Sequence, residues 1–210
     1  MKISYAITVC NELVEIQRLL DLLLKQKRSQ DEIVVLVDNP GGEDDEMIST
    51  LHHYESHNND HITVWRSEFA GHFADWKNKL NSYCTGDYIF QIDADEIPTK
   101  TLIDYLPDII DANPAVDVLL VPRINTVDGL TQAHIAKWGW NITPPGWVNF
   151  PDYQWRVFKN TPEIKWTNKV HEVLQGHKML STLPAEEDYC LFHPKTIERQ
   201  EKQNKYYDTL

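Results

Sequence analysis

Two aspartates stand two positions apart, with a glutamate directly behind them, at the end of an apolar run: Tyr88-Ile-Phe-Gln-Ile-Asp93-Ala-Asp95-Glu96. The run reads as a buried strand. On an extended chain residues i and i+2 share one side, so Asp93 and Asp95 project together at its carboxyl end. Open α/β sheets bind their ligands at that end. Hard carboxylate oxygens at this spacing suit Mg2+ or Mn2+, which bind protein through one or two carboxylates and fill their other positions with water and substrate phosphate. An acidic turn after a strand would carry the same residues, so the pair gains meaning only from what surrounds it.

The elements that must position these carboxylates alternate. An apolar strand over 3–9 is followed by a helix over 14–27, in which Ile16, Leu19, Leu20, Leu23 and Leu24 recur at helical spacing. A second strand over 32–38 is broken by Asn39-Pro-Gly-Gly42. A helix over 47–54, a strand over 62–66 and a helix over 73–83 then lead into the strand with the carboxylates. Strands this continuously apolar, separated by helices, indicate an α/β fold with a parallel sheet covered on both faces. Beyond Asp95 the pattern predicts a helix over 102–113, a strand over 116–121 and a Trp-, Pro- and Gly-rich loop over 138–147. Strand-like segments at 154–159, 164–173 and 189–192 and a polar helix over 196–207 complete the chain.

The 210 residues, 41% of them hydrophobic, suffice for one sizeable core, and a single domain over 1–210 is expected. Twenty Lys and Arg against 32 Asp and Glu leave a formal charge of -12, which disfavours nucleic acid and anionic lipid without excluding them. A small anionic substrate would need a local cation. The apolar stretch at the amino terminus meets Asn11-Glu12 too early for a signal peptide, and no run reaches membrane-spanning length. Cys10, Cys84 and Cys190 are an odd number at unrelated spacings, which suits reduced, mostly buried thiols and a cytoplasmic location.

Taken in order, several motifs carry a resemblance. They are the first strand leading into Asn11-Glu12, the second ending at Asp38, Trp76-Lys-Asn78, Asp93-Ala-Asp95-Glu96, Val170-His-Glu172, and Phe192-His193 before a basic helix. Over nearly its whole length the chain resembles family 2 glycosyltransferases of the GT-A fold. It is similar to the small bacterial and phage enzymes, among them those that elongate lipopolysaccharide core. The resemblance implies a Rossmann-like, mostly parallel sheet with helices on both faces and a small C-terminal acceptor-side portion. Residues 1–98 would form the nucleotide-sugar half, and 99–210 the acceptor side with the last helix. It further implies metal-dependent, inverting transfer of a sugar from a nucleoside diphosphate, uridine diphosphate foremost, to a saccharide, lipid-linked or other hydroxyl.

The roles follow residue by residue. Asp95 would hold Mn2+ or Mg2+, with Asp93 nearer the ribose or the metal's water and His193 completing the shell, although His193 also suits a cap on the last helix or a core hydrogen bond. Thr8, Asn11, Glu12 and Asp38 would line the base and ribose. Asp38 before a turn can bond its own backbone instead, and Glu12 can serve the helix start. Lys77 and Asn78 would approach the nucleotide, while Lys77 equally fits a solvated face. Inversion requires a base opposite the leaving group, and Glu172 is the first choice and Asp152 the second. A structural ion pair of Glu172 with Lys169 or Arg156 competes with that role. His171 would orient Glu172 or touch the acceptor. Arg156, Lys195 and Arg199 are candidate diphosphate cations. Trp138, Trp140 and Trp147 would contact sugars from a lid, Glu96 would stand behind the metal or on the acceptor side, and Trp155 and Trp166 fit the core. Two other readings remain: a non-catalytic glycan- or partner-binding domain, and a sugar nucleotidyltransferase, whose Gly-rich triphosphate loop Val9-Cys-Asn-Glu12 does not supply.

Overall fold

Apolar residues on both sides of the first strands dictate that helices must cover both. In the computed structural model, which describes residues 1–39, 45–58 and 61–207, the elements run β1 (Ile3–Val9), α1 (Leu13–Gln26), β2 (Glu32–Asp38), α2 (Glu46–His57), β3 (Ile62–Ser67), α3 (Phe73–Asn81), β4 (Tyr88–Asp93), β5 (Ile97–Pro98), α4 (Lys100–Ala112), β6 (Val118–Asp128), α5 (Gln132–Trp138), β7 (Val148–Lys159), β8 (Lys165–Thr167), β9 (Val173–Gln175), β10 (Leu180–Thr182), β11 (Leu191–Thr196) and α6 (Ile197–Tyr207). Of the predicted break after β2, residues 40–42 lie outside the described residues.

Ile3, Tyr5, Ile7 and Val9 of β1 share one core with Ile33, Val35 and Val37 of β2 and with the buried faces of α1, α2 and α4. Ala6, Val34 and Leu36 face the other way, where α3 packs through Ala74, Trp76 and Leu80 beside Trp166 and Leu174 of the β8–β9 hairpin. The nine-stranded sheet has the order β3-β2-β1-β4-β7-β6-β11-β5, with β10 added on β6. β3, β2, β1 and β4 pair in parallel with one another, as β6 does with β10 and β11, while β7 runs antiparallel between β4 and β6 and β5 antiparallel to β11. The chain steps from β1 to β2 on one side and returns to β4 on the other, so a crevice opens at the carboxyl ends of β1 and β4.

The first half follows the periodicity closely; the second departs from it in four places. The strand predicted over 116–121 continues to Asp128. Pro122 fits inside it because on that edge β10 pairs only with 118–120 and β11 takes up pairing at Arg123, so the missing N–H falls in a gap of the ladder. The strand predicted over 154–159 begins at Val148. The segment 164–173 is a hairpin, β8 and β9, with the turn at Asn168–Glu172 in between; Asn168 and His171 take positive φ values of 75° and 54° there. His171 and Glu172 therefore do not alternate along a strand. Finally, β11 runs to Thr196, so His193 is a strand residue and not a helix cap. The short helix α5, which the sequence reading passed over, is capped by Thr131 and stops at Gly139 in the left-handed region, φ 64°.

Glu32 ties the amino ends of these strands together. Its carboxylate accepts bonds from Lys2 Nζ, Ser4 Oγ, Thr85 N and Thr85 Oγ1 at 2.6–2.7 Å. Burial works to raise its pKa, but these donors prevail and hold it at about 2. A depressed carboxylate contributes stability that is complete above its ordinary value near 4.5 and is lost as pH falls towards 2. Glu32→Gln should therefore cost about 2 kcal/mol at pH 7. In urea unfolding the gap from the parent should close between about pH 4.5 and pH 2; a gap that did not change with pH would exclude this linkage.

Candidate functional site

Strand register builds the site. Thr8 of β1 lies opposite Asp93 of β4, Arg123 of β6 opposite Asp152 of β7, and Asn125 of β6 opposite His193 of β11. These placements join into one polar chain. Arg156 Nη2 donates to Asp93 Oδ2 and to Glu96 Oε1, each at 2.6 Å. Arg123 Nη1 donates to the same Glu96 oxygen at 2.9 Å, and its Nε and Nη2 donate to Asp152 Oδ2 at 3.0 and 2.7 Å. Asn125 Nδ2 donates to Asp152 Oδ2 at 2.8 Å. Asn125 Oδ1 meets His193 Nδ1 at 2.7 Å, and His193 Nε2 lies 3.3 Å from Asp95 Oδ2. The chain thus begins at one aspartate of the pair and ends at the other.

Electrostatics follow from this arrangement. Burial alone would raise the Asp93 carboxyl, but Arg156, Lys77 and Arg123 outweigh it and hold Asp93 well below the usual carboxylate range. Asp95 is brought down to about 2: burial again opposes, and His193 and Lys195 overcome it. His193 is pulled below its ordinary value, chiefly by burial, with Asp95 opposing and Arg123 and Lys195 assisting. The imidazole is therefore favoured neutral at neutral pH, with one nitrogen turned to a carboxylate.

That pair suits a divalent cation in its donor chemistry, a carboxylate oxygen beside an imidazole nitrogen whose other nitrogen is held by a partner. Among the described residues no third His, Cys, Asp or Glu joins them in a cluster, so remaining positions would fall to solvent or to a ligand. Arg199 reaches the same place from α6, with Nη2 3.2 Å from Asp95 Oδ2, while also pairing with Glu12 and Glu15 at 3.2 and 2.9 Å. Lys195, two residues after His193, bonds Gln203 and acts electrostatically on Asp95.

Three expectations from the sequence need correction, and for Glu96 one of the two places offered falls away. Arg156 is buried with Nη2 shared between Asp93 and Glu96, so it is not a cation open to diphosphate. Asp152 is no free base, because Oδ2 takes three donor contacts and Oδ1 takes Gln154 Nε2 at 2.7 Å. Glu96 is wholly buried; besides the two arginines it accepts from Asp93 N at 3.1 Å and lies behind the aspartates, off any acceptor surface. Asn78 spans backbone groups of Trp166, with Nδ2 to O and Oδ1 from N, both at 2.9 Å, and so fastens α3 to the hairpin.

Other residues come together near the aspartates. Lys77 of α3 pairs with Glu172 Oε1 at 3.0 Å and lies 4.6 Å over the Trp166 ring; the partner foreseen for Glu172 was Lys169 or Arg156. Asp93 lies four residues after Ile89 in β4 and so shares its face, the α3 side of the sheet, from which Lys77 and Glu172 approach. Thr8 Oγ1 lies 3.4 Å from Asp93 Oδ1. Glu12 Oε2 accepts from Cys10 N and Asn11 N at 2.9 and 3.1 Å, and shapes the loop after β1. Asp38 accepts from Phe69 N at 2.9 Å and faces Cys10, which is exposed, whereas Cys84 and Cys190 are buried. Trp138 stacks on His134 and lies 4.6 Å from Trp140, while Trp147 meets Phe150; α5 buries none of its residues. His171 is in the hairpin turn, its carbonyl accepting from Asn168 Nδ2. Trp166 is in the core as foreseen, and Trp155 is half-buried beside His177.

Arg123 and Asn125 escaped the sequence reading. Their signal was Arg123-Ile124-Asn125, polar residues alternating about an apolar one directly after Pro122, which a strand reading carried past the proline would have found.

The chain matches the family model described as "Glycosyl transferase family 2" over residues 4–186. No curated protein matches it by sequence. Among solved structures, S. aureus TarS is similar at 17% identity and TM-score 0.62, over 92% of this chain and 37% of that one. S. aureus TarS 1-349 in complex with UDP-GlcNAc aligns at 18% identity and TM-score 0.63, over 93% and 59%. The mannosyltransferase PcManGT from Pyrobaculum calidifontis, in complex with GDP-Man and Mn2+, aligns at 16% identity and TM-score 0.58, over 90% and 56%. The chain therefore spans from about a third to three fifths of the length of these proteins. No helix among the described residues is long and apolar enough to cross a membrane.

Glu96 is the shared acceptor of two guanidinium groups, and removing it would leave both short of a partner. Glu96→Leu should lower stability by about 3–5 kcal/mol, read as the shift of the urea midpoint at unchanged slope. A loss below about 1 kcal/mol would show that the network is not a closed unit.

Proposed function

The chain belongs to glycosyl transferase family 2, and we propose that it transfers a sugar, with inversion, from a nucleoside diphosphate to an acceptor hydroxyl in a reaction that needs Mn2+ or Mg2+. Uridine diphosphate is the proposed carrier. The observation that carries this reading is the meeting of Asp95 Oδ2 and His193 Nε2 at 3.3 Å, at the carboxyl ends of the strands. A carboxylate oxygen and an imidazole nitrogen brought to one point are a donor pair that a divalent cation takes up, and burial favours the neutral imidazole that such binding needs.

When bound, the metal would neutralise the charge that grows on the departing diphosphate. The protein's own groups do the rest. Asp95 and His193 hold the cation. Asp93, one oxygen fixed by Arg156, keeps the other towards Thr8 and the ribose side of the crevice. Lys195 and Arg199 are the proposed diphosphate cations; Arg199 would exchange its present carboxylates for phosphate oxygens. Asp38 and the loop from Thr8 to Glu12, with Asn11, would line the nucleoside.

Glu172 is the proposed base. It approaches from the α3 face paired with Lys77, and this reading prefers it to Asp152, whose oxygens are taken up by their own bonds. It would take the proton of the acceptor hydroxyl as that oxygen attacks the anomeric carbon. Trp138, Trp140 and Trp147, on a segment with little burial, are placed by this reading against the sugars, with His171 beside Glu172. In this reading residues 1–98 serve the donor, and 99–210 form the acceptor side while also lending His193, Lys195 and Arg199 to the diphosphate; the acceptor is a saccharide, a lipid-linked glycan or another hydroxyl compound.

Incubation with Mn2+ and a panel of nucleotide sugars should release nucleoside diphosphate, and chelation should stop the release. Asp95→Asn should abolish it. Glu172→Gln should lower kcat by about 10^2- to 10^4-fold with little change in KM for the donor. Transfer by Asp95→Asn at the parental rate would refute the metal role. Release of pyrophosphate from a nucleoside triphosphate would indicate a nucleotidyltransferase instead, and no release from any donor would favour a binding domain.

A further inference from the structure

Asp152 and Asn125 do no chemistry in this reading, yet their hydrogen bonds leave His193 only one neutral form. An ionised carboxylate accepts and never donates. Asp152 Oδ2 accepts from Arg123 Nε and Nη2 at 3.0 and 2.7 Å, which keeps it ionised, and lies 2.8 Å from the Asn125 side-chain amide. Only the NH2 group of Asn125 can therefore face Asp152; the reverse orientation would set oxygen against oxygen. Asn125 must then turn its Oδ1 to His193, 2.7 Å from Nδ1. An amide oxygen accepts, so Nδ1 has to carry the proton.

We propose that Asp152 and Asn125 act as positioning residues which lock His193 in the Nδ1–H tautomer, so that the bare Nε2 lone pair is turned towards Asp95. In water a free histidine side chain favours the opposite tautomer, so this preference is imposed by the fold. Register supplies it: Asn125 and His193 are direct partners in the parallel β6–β11 pair, and Arg123 and Asp152 are direct partners across β6–β7. Arg123 and Asn125, two residues apart on β6, both reach Asp152 Oδ2, across the shift in β6–β7 register that falls between them. The same device orients metal-binding imidazoles in general, where the second nitrogen is held by an acceptor. Here the acceptor is a neutral amide whose direction is dictated by a carboxylate one bond further out. The proposal rests on the reading of Asp95 and His193 as a cation pair, but the tautomer is a property of the protein without metal.

Long-range proton–nitrogen NMR correlation on 15N-labelled, metal-free protein at pH 8 reads the two nitrogens of His193 directly. The expected pattern is a protonated Nδ1 and a bare Nε2. In Asp152→Asn, whose amide can present either its oxygen or its NH2 to Asn125, the population should move towards Nε2–H. In Asn125→Leu, which removes the acceptor, Nε2–H should dominate. Mn2+ affinity, measured by calorimetry, should fall about 10- to 100-fold in both. A wild-type His193 protonated on Nε2 would overturn the proposal even if neither variant folded, and so would an Asp152→Asn protein with an unchanged tautomer. A wild-type spectrum as expected, in a protein that binds no Mn2+, would instead overturn the cation reading and leave the lock standing.

Discussion

Everything at the site depends on two guanidinium groups sharing one buried carboxylate. Glu96 is wholly buried, and Arg156 nearly so, which no charged group tolerates without a partner. Arg156 and Arg123 both donate to Glu96 Oε1; Arg156 Nη2 donates to Asp93 as well, and Arg123 gives its Nε and Nη2 to Asp152. Three carboxylates face two guanidiniums in this group, so one negative charge remains uncompensated. Such a network is a poor source of stability and a good source of geometry, because every member has its direction fixed by the next.

Geometry of that kind suits a site where charge develops during the reaction. Asp93 and Asp95 leave the same strand end, but the fold holds them in different ways. Asp93 is fixed from below by Arg156 and faces Thr8; Asp95 is approached by His193, Lys195 and Arg199 from the other side of the sheet's path. Of the two aspartates, Asp95 is the one that Arg199 of α6 reaches, while also pairing with Glu12 and Glu15. A molecule of net charge -12 in which Lys195 and Arg199 converge on Asp95 can receive an anion there despite its overall repulsion.

How much of this could be read in advance divides at Asp95. Up to that residue strands and helices alternate with clear periods, and each boundary falls within a few residues of the observed one, because local apolar pattern and final packing agree. The fold class and the position of Asp93 and Asp95 followed from that pattern. Beyond it, the strand expected over 116–121 runs on through Pro122, which the sheet tolerates, and the hairpin at 164–173 looked like one extended run. The pairing of Glu172 with Lys77, the commitment of Arg156 and Asp152, and the contact between Asn125 and His193 all arise from register between strands distant in sequence, which no local spacing encodes. His193 was legible as a residue type near a basic helix; the partner that sets its proton was not.

The central claim is that Asp95 and His193 receive a cation together with a nucleoside diphosphate. A crystal soaked with uridine diphosphate and Mn2+ tests it most directly through the anomalous signal of manganese. The expected peak lies about 2.0–2.3 Å from both Asp95 and His193 Nε2, with diphosphate oxygens in its remaining positions and Arg199 moved onto them. Manganese bound away from this pair, or nucleotide bound with His193 still against Asp95 and no metal between them, would contradict it.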